Sequence, residues 1–266
     1  MHLRLMTYNI KSGLYQPDGL KAVAAVVEAQ APDALALQEV DENMARSRRI
    51  AQSDWFARRI RANGLFAPAM EYDGGRYGIA LLARLPIQSH ERRLLFRPQY
   101  GDADQRPRHD SEQRVMLAAT VLLASLSRPG SVGSDAGEGA LKLIVTHLGL
   151  TPDQRSVQVQ QLADFARSWH GSLPTVIMGD FNCEPDAPEL APMYEHFQDA
   201  CAVCRLSGDA RFTFPSGARG ARCEDGWRGA IDYIWASPDV KICSAQVIFD
   251  ESRASDHQPV VAEIEI

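Results

Sequence analysis

Short apolar runs of strand character, each bounded by a polar residue, follow one another along nearly the whole chain and do so in two successions. Residues 3–8 (LRLMTY) lead through a helical pattern from Pro17 to Gln30, with Leu20, Val23, Ala24 and Val27 on one face, to a second run, ALALQ at 34–38. A second helix at 51–63, apolar through Trp55, Phe56 and Ile60, gives way to consecutive strands: LFAPAMEY, YGIALLA, a segment at 87–95 and VMLAATVLLASL at 115–126. The order then starts again. LKLIVTHL leads through a helix at 153–170 to TVIMGDF, and three strands close the chain, IDYIWAS, ICSAQVIF and PVVAEIEI. No internal sequence repeat accompanies this. Strands alternating with helices and then mostly strands, twice over, predict an α/β protein in which two sheets pack face to face with helices outside.

No linker cuts the pattern, so residues 1–266 are expected to form one domain, and 45% apolar content can supply its core. Two segments stand apart. The stretch 96–113 is polar and broken by prolines, which predicts a long loop near a functional surface, and SRPGSVGSDAGEG at 127–139 has the composition of a mobile hairpin tip. Residues 183–230, rich in proline and glycine, read as loop-rich.

A net charge of −6 gives no general attraction for nucleic acid or anionic membranes, so recognition of phosphate must be local. The N-terminus lacks the pattern of a secretory signal and no run reaches the roughly 18 apolar residues of a membrane span. The expectation is a cytoplasmic protein with no integral membrane association and no obligate protein partner. Five cysteines, an odd number, argue against a fully paired disulfide framework, and the pair Cys201 and Cys204 lacks the further Cys or His partners of a zinc site.

The polar residues at the strand ends carry the chemistry. Asn9 follows the first strand, Gln38 and Glu39 end the second, and His147 ends LKLIVTH. Asp180 and Asn182 end TVIMGDFN, Asp232 begins IDYIWAS, and Asp256 with His257 precede the last strand. Strand ends are where α/β proteins gather ligands, because the sheet fixes the side chains while the loops leave room. Oxygen donors without a thiolate or histidine cluster favour a hard cation, Mg²⁺ or Mn²⁺, with Glu39 the first choice of ligand and Asn9 and Asp256 beside it. Such an ion would polarise a phosphoryl oxygen for in-line displacement, and Asn182 and His147 would donate to the non-bridging oxygens. His257, neutral part of the time near pH 7, can take a proton from the attacking water if a carboxylate such as Asp232 orients it. Asp180 fixed by Asn182 is an equal candidate for the base.

The set TYNI, LQEVD, YGIALLAR, THL, GDFN-x-x-P, IDYIWAS and SDHQPVVAEI, running from residue 5 to 265, resembles the endonuclease/exonuclease/phosphatase superfamily. The resemblance implies a four-layer α/β sandwich, with two mostly antiparallel sheets flanked by helices, and metal-dependent hydrolysis of a phosphate ester. It places the family's metal-binding asparagine and glutamate on Asn9 and Glu39, its histidine after the central strand on His147, its Asp-x-Asn pair on Asp180 and Asn182, and its Asp–His dyad on Asp232 and His257, with Asp256 before that histidine. Two departures bear on substrate. TYNIKSG and LQEVDE stand where repair-type members carry SWNVNG and LQET-K, which weakens an abasic-site reading. The glutamate that partners the histidine in the deoxyribonuclease branch has only Glu71, Asp73 or nothing to answer it, which puts a general-acid role for His147 in doubt.

Each of these residues has an ordinary alternative as a turn cap or a structural histidine; their order as a set argues for one site. Arg46, after LQEVD, and Arg114, opening the strand at 115, are candidates to bind phosphate bidentately, against the plain reading of a solvated face. Tyr77 is a third candidate for substrate contact. The expected substrate is a phosphomonoester or phosphodiester in a small molecule or lipid headgroup, or alternatively DNA or RNA. A non-catalytic phosphate-binding protein of the same fold would show damage at the metal or base positions, and none is visible.

Overall fold

The computed structural model of the chain describes residues 1–98, 112–123, 139–169, 171–218, 220–250 and 252–266. The first sheet and its helices comprise β1 (His2–Asn9), α1 (Gly19–Gln30), β2 (Ala34–Glu42), α2 (Gln52–Ile60), β3 (Asn63–Tyr72) and β4 (Gly75–Ala83). The second comprises β5 (Ile87–Leu94), β6 (Val115–Leu122), β7 (Ala140–His147), α3 (Pro152–Ser168), β8 (Thr175–Asp180), α4 (Ala191–His196), β9 (Gln198–Asp199), α5 (Ala200–Val203) and β10 (Asp232–Ala236). Strands β11 (Lys241–Val247) and β12 (Val260–Glu265) return to the first sheet.

Each sheet has six strands, in the orders β11-β12-β1-β2-β4-β3 and β5-β6-β7-β8-β10-β9. Pairing is antiparallel except at one central step in each, β1 with β2 and β7 with β8. Those parallel steps need a crossover, which α1 and α3 supply. The two sheets thus repeat one topology, which is how the twofold succession in the sequence folds.

Alternation along the strands builds four layers. Leu5, Ala36 and Leu81 of the first sheet face Leu117, Leu143 and Met178 of the second in a shared core. The opposite parity, Met6, Tyr8, Leu35 and Leu37, packs under Val23 and Val27 of α1 and Phe56 of α2. Ile144, Ile177, Tyr233 and Trp235 pack under Val159 and Leu162 of α3 and Met193 of α4. Helix α3 is tied to β7 by the buried ammonium of Lys142, which donates to the carbonyls of Ala166, Trp169 and Gly171 at 2.8, 2.8 and 2.9 Å and so caps the helix end.

The expected elements are present with shifted ends. Helix α2 stops at Ile60 because Arg61 takes a left-handed conformation, φ 56°. The strand expected at 115–126 ends at Leu122. Residues 183–230, read as loop-rich, contain α4, α5 and the two-residue β9, which pairs with β10. Most of the segments 96–113 and 127–139, residues 99–111 and 127–138, lie outside the described residues.

Candidate active site

The site is the polar end of the inter-sheet core, and strand parity puts it there. Asn9 lies four residues beyond Leu5, His147 two beyond Val145, Asp180 two beyond Met178, and Asp232 two before Ile234, and each of those apolar residues points into the shared core. The sheets therefore turn all four polar side chains toward each other at one end of the sandwich. They meet: the Asn9 carboxamide nitrogen donates to Asp180 Oδ2 across the sheets at 3.0 Å and to Glu39 Oε1 at 3.0 Å.

In the second sheet, His147, Asp180 and Asp232 occupy one row across β7, β8 and β10, with Asp180 in register with both neighbours. Gly179 makes this row possible, since a Cβ there would run into the Thr146 carbonyl of β7. Asp180 is buried, accepts from the Asn182 backbone N–H at 2.9 Å, and lies 3.5 Å from His147 Nε2 and 3.7 Å from His257 Nε2. Burial, and then the charge of Asp232, push its carboxyl up to about 7 against the pull of His257, Asn9 and Asn182. Asn182 holds the turn in a left-handed conformation, φ 53°, and its side-chain amide donates to the Leu148 carbonyl at 2.9 Å.

His257 comes from the loop before β12, and its Nδ1 stands 2.8 Å from Asp232 Oδ2 with Phe214 against the ring at 5.0 Å. Burial opposes its charge, but Asp232 and Asp180 outweigh burial and push the imidazole up to about 10. The two carboxylates hold the imidazole toward its charged form. His147 shifts the other way, well below its ordinary value, because burial comes first and Arg114, His257 and Lys11 add positive charge.

Glu39 reaches the site by a different device. Plain alternation after Gln38 would turn it toward the helical layer, but β2 bulges here: Leu37 pairs with Ala80 and Val40 with Gly78, so two residues face Ile79 alone. Glu39 takes φ 55° in the bulge, and its carboxylate stands beside Asn9. The Lys11 ammonium lies 3.2 Å from Asp256 Oδ2 and 3.9 Å from Glu39 Oε1. That ammonium stands between the two carboxylates and offsets their charge. Asp180, Asp232 and His257 also have ligand atoms within 4.8 Å of one another. Both Asp180 oxygens accept protein hydrogen bonds and His257 Nδ1 is held by Asp232, while the buried Asp232 Oδ1 has no hydrogen-bond partner and His257 Nε2 faces Asp180 at 3.7 Å. A hard cation fits Glu39 and Asp256 better, with Asn9 Oδ1, which accepts from the Lys11 N–H at 3.1 Å, keeping one lone pair free.

The three residues expected to contact substrate stand differently. Arg46 closes a fork on buried Asp41, with Nε at 2.9 Å and Nη2 at 2.8 Å, donates to Ser12 Oγ at 3.1 Å, and lies 5.6 and 5.5 Å from the ring centres of Tyr72 and Tyr77. Its guanidinium is fixed through Nε and Nη2. Tyr77 is buried, and burial, then Glu39, hold its hydroxyl protonated. Arg114 is buried too: Nη1 stands 3.2 Å from His147 Nδ1 and Nη2 3.1 Å from Glu112, so it faces the histidine rather than an open cleft.

Four contributors escaped the sequence reasoning. Lys11 and Ser12 follow Asn9 with φ 47° and 53°. Asp41 fixes Arg46. Thr213, fully buried, accepts from the backbone N–H groups of Ile231 and Asp232 at 3.1 and 3.2 Å and so holds the start of β10. The only signal for the first two was a cation and a serine beside Asn9; Thr213 carried none.

Two six-stranded sheets with this order, and a cluster of carboxylates, amides and histidines where their shared core ends, define the deoxyribonuclease I-like α/β sandwich. The chain belongs to the Endonuclease/Exonuclease/phosphatase family, whose sequence profile matches residues 6–257. Members of that family are generally hydrolases acting on phosphate esters and commonly use divalent metals. Among solved structures, an endonuclease/exonuclease/phosphatase from Bacteroides vulgatus is 17% identical, with 100% of this chain and 99% of that one covered and a TM-score of 0.75. A mannosyl-6-phosphatase from Bacteroides thetaiotaomicron is 15% identical (99% and 100% covered, TM-score 0.74), and the human Nocturnin catalytic domain with bound sulfate 21% (99% and 94%, TM-score 0.68). At these identities the likeness is one of fold. No curated protein matches the sequence itself. Among the described residues no helix is long and apolar enough to cross a membrane.

Proposed function

We propose that this protein is a metal-dependent phosphoesterase that hydrolyses a phosphomonoester or phosphodiester of a small molecule by in-line attack of water. The observation that carries the reading is the position of Asp180: a buried carboxylate with a raised pKa, set between two histidines on one sheet and tied through Asn9 to Glu39 on the other.

Glu39 and Asp256, with Asn9, would hold Mg²⁺ or Mn²⁺, which supplies polarisation of a phosphoryl oxygen and charge neutralisation. Asp180 accepts the proton of the attacking water; a base with a pKa near the working pH is suited to that. His257, kept protonated by Asp232, places positive charge on the phosphate. His147 and the remaining hydrogen of the Asn182 amide donate to non-bridging oxygens, and Arg46 Nη1 with Tyr77 meets the substrate beyond them. Because the donors come from both sheets, the two sheets work as one unit over residues 1–266. A mannosyl-6-phosphatase and a sulfate-bound Nocturnin domain share this fold, which is consistent with a phosphate or small phosphorylated substrate.

Glu39→Ala is expected to abolish metal-stimulated hydrolysis of bis-p-nitrophenyl phosphate; activity at the wild-type rate would overturn the metal assignment. A parallel panel of plasmid DNA, single-stranded RNA, inositol phosphates, sugar phosphates and sphingomyelin with Mg²⁺ or Mn²⁺ tests the substrate class. Preference for either nucleic acid would refute the small-molecule reading.

A further inference from the structure

Arg114 immediately precedes β6 and His147 ends the neighbouring strand β7, and both are buried. Arg114 Nη1 stands 3.2 Å from His147 Nδ1. A guanidinium has five N–H donors and no acceptor, and it stays protonated in proteins. In that hydrogen bond the imidazole nitrogen must therefore be the acceptor: Nδ1 carries a lone pair. The ring's one hydrogen is then on Nε2, the nitrogen that faces Asp180 Oδ2 at 3.5 Å and the centre of the site. Protonating Nδ1 would set an N–H against the Arg114 N–H in a buried place, so the same contact excludes the doubly protonated ring. The lowered pKa of His147 agrees, with burial its first cause and Arg114 the next.

We propose that Arg114 is a positioning residue that locks His147 in its neutral Nε2–H tautomer, so that His147 gives the phosphate a hydrogen bond and has no spare proton for the leaving group. The consequence for the reaction rests on the phosphoesterase reading above; the tautomer does not. A histidine backed by a carboxylate is held at Nδ1–H and can become an imidazolium acid. Backed by an arginine it is a fixed, uncharged donor. Leaving-group protonation must then come from solvent or from another group, and the enzyme is suited to esters whose leaving groups need little help. Arg114 thereby ceases to be a phosphate clamp and acts on substrate only through His147.

The test is a long-range ¹H–¹⁵N correlation spectrum of the full-length protein labelled at histidine, with the His147 ring identified by its loss in His147→Gln. The wild type is expected to show one protonated nitrogen, Nε2, and one lone-pair nitrogen, Nδ1, unchanged between pH 6 and 8. Arg114→Lys, which still donates, is expected to keep the pattern, and Arg114→Met to give an average of the two tautomers. A wild-type ring with its hydrogen on Nδ1, with both nitrogens protonated or already averaged overturns the proposal, and this measurement needs no known substrate. Kinetics provide the second readout. His147→Gln should lower kcat/KM by the same factor, within about threefold, for aryl and alkyl esters of one phosphodiester series. A loss more than tenfold larger on the alkyl ester would make His147 the general acid after all. If no phosphate ester is hydrolysed, the function fails while the spectrum still decides the tautomer.

Discussion

Replacing Asp180 by asparagine is expected to make the protein more stable and nearly inactive, and the size of the first effect follows from the site. Its carboxyl is raised from 3.8 to about 7, so keeping it ionised in the fold above that pH costs on the order of 4 kcal/mol at about 1.4 kcal/mol per pH unit. Asparagine escapes this charge penalty but brings a conflict. Both oxygens of Asp180 accept, one from Asn9 Nδ2 and one from the Asn182 N–H, and an amide can satisfy only one of those donors. An unpaired buried donor costs about 1–3 kcal/mol, which leaves a net gain of about 2 kcal/mol at pH 8. For a chain of this size that is a rise of roughly 4–8 °C in Tm. A carboxyl whose folded pKa lies above its unfolded one binds protons more readily in the fold. Wild-type stability is thus present at low pH and lost as the pH rises from about 4 through about 7, and the advantage of Asp180→Asn opens over that window. Scanning calorimetry of both proteins in EDTA at pH 4.5 and pH 8 checks it, the chelator leaving only the charges of the chain. The variant should melt higher at pH 8 and no higher at pH 4.5, while kcat falls by about 10²–10⁴ as for a lost general base. An equal gap at the two pH values, or a lower Tm at pH 8, would refute the account of Asp180.

Two further substitutions address its neighbours. Asp232→Asn removes the charge that most raises His257; its imidazole should then titrate well below about 10, and the alkaline limb of kcat against pH should move down with it. Proton NMR of the ring checks this, and a wild-type His257 that titrates near 6.5 would sink the idea. Thr213→Val keeps the shape but leaves the Ile231 and Asp232 N–H groups without their shared acceptor, for an expected loss of about 2 kcal/mol in urea unfolding and a fall in kcat greater than any change in KM. Wild-type values of both would show that Thr213 does not hold β10.

How much of this was legible in the sequence depends on whether a residue follows the parity of its own strand. Asn9, His147, Asp180 and Asp232 do: counting in twos from Leu5, Val145, Met178 and Ile234 puts them on the core side, and the polar residue ending each apolar run could be read directly. Glu39 was legible as a residue but not as a direction, because the bulge that turns it exists only in the pairing of β2 with β4. Arg46 and Arg114 were legible as cations near the site, but not as partners of Asp41 and His147. The Arg114 contact needs the register of β6 against β7, with Met116 opposite Thr146, and no local pattern encodes that. Thr213 acts through a hydroxyl on another segment's backbone, in a stretch whose glycines and prolines hide any periodicity.

The division of labour at the site follows from having two sheets. Glu39 lies on the first sheet, and Asp256 precedes β12 of the same sheet; His147, Asp180 and Asp232 belong to the second. In the proposed reaction the first group holds the cation and the second handles protons and the phosphate, so the distance between them must be held to fractions of an ångström, since a 1 Å error can cost about 10² in rate. Two links span the seam. Asp256 and His257, consecutive in the chain, put one residue on each side. Asn9 is the second, giving one amide hydrogen to Glu39 and the other to Asp180, both at 3.0 Å. A carboxamide of this length donates to two carboxylates from one atom, whereas aspartate would repel both and glutamine would carry its nitrogen past them. Asn9 is therefore as much a spacer between two carboxylates as a proposed metal ligand, and the register in which the two sheets pack is part of the geometry of the site.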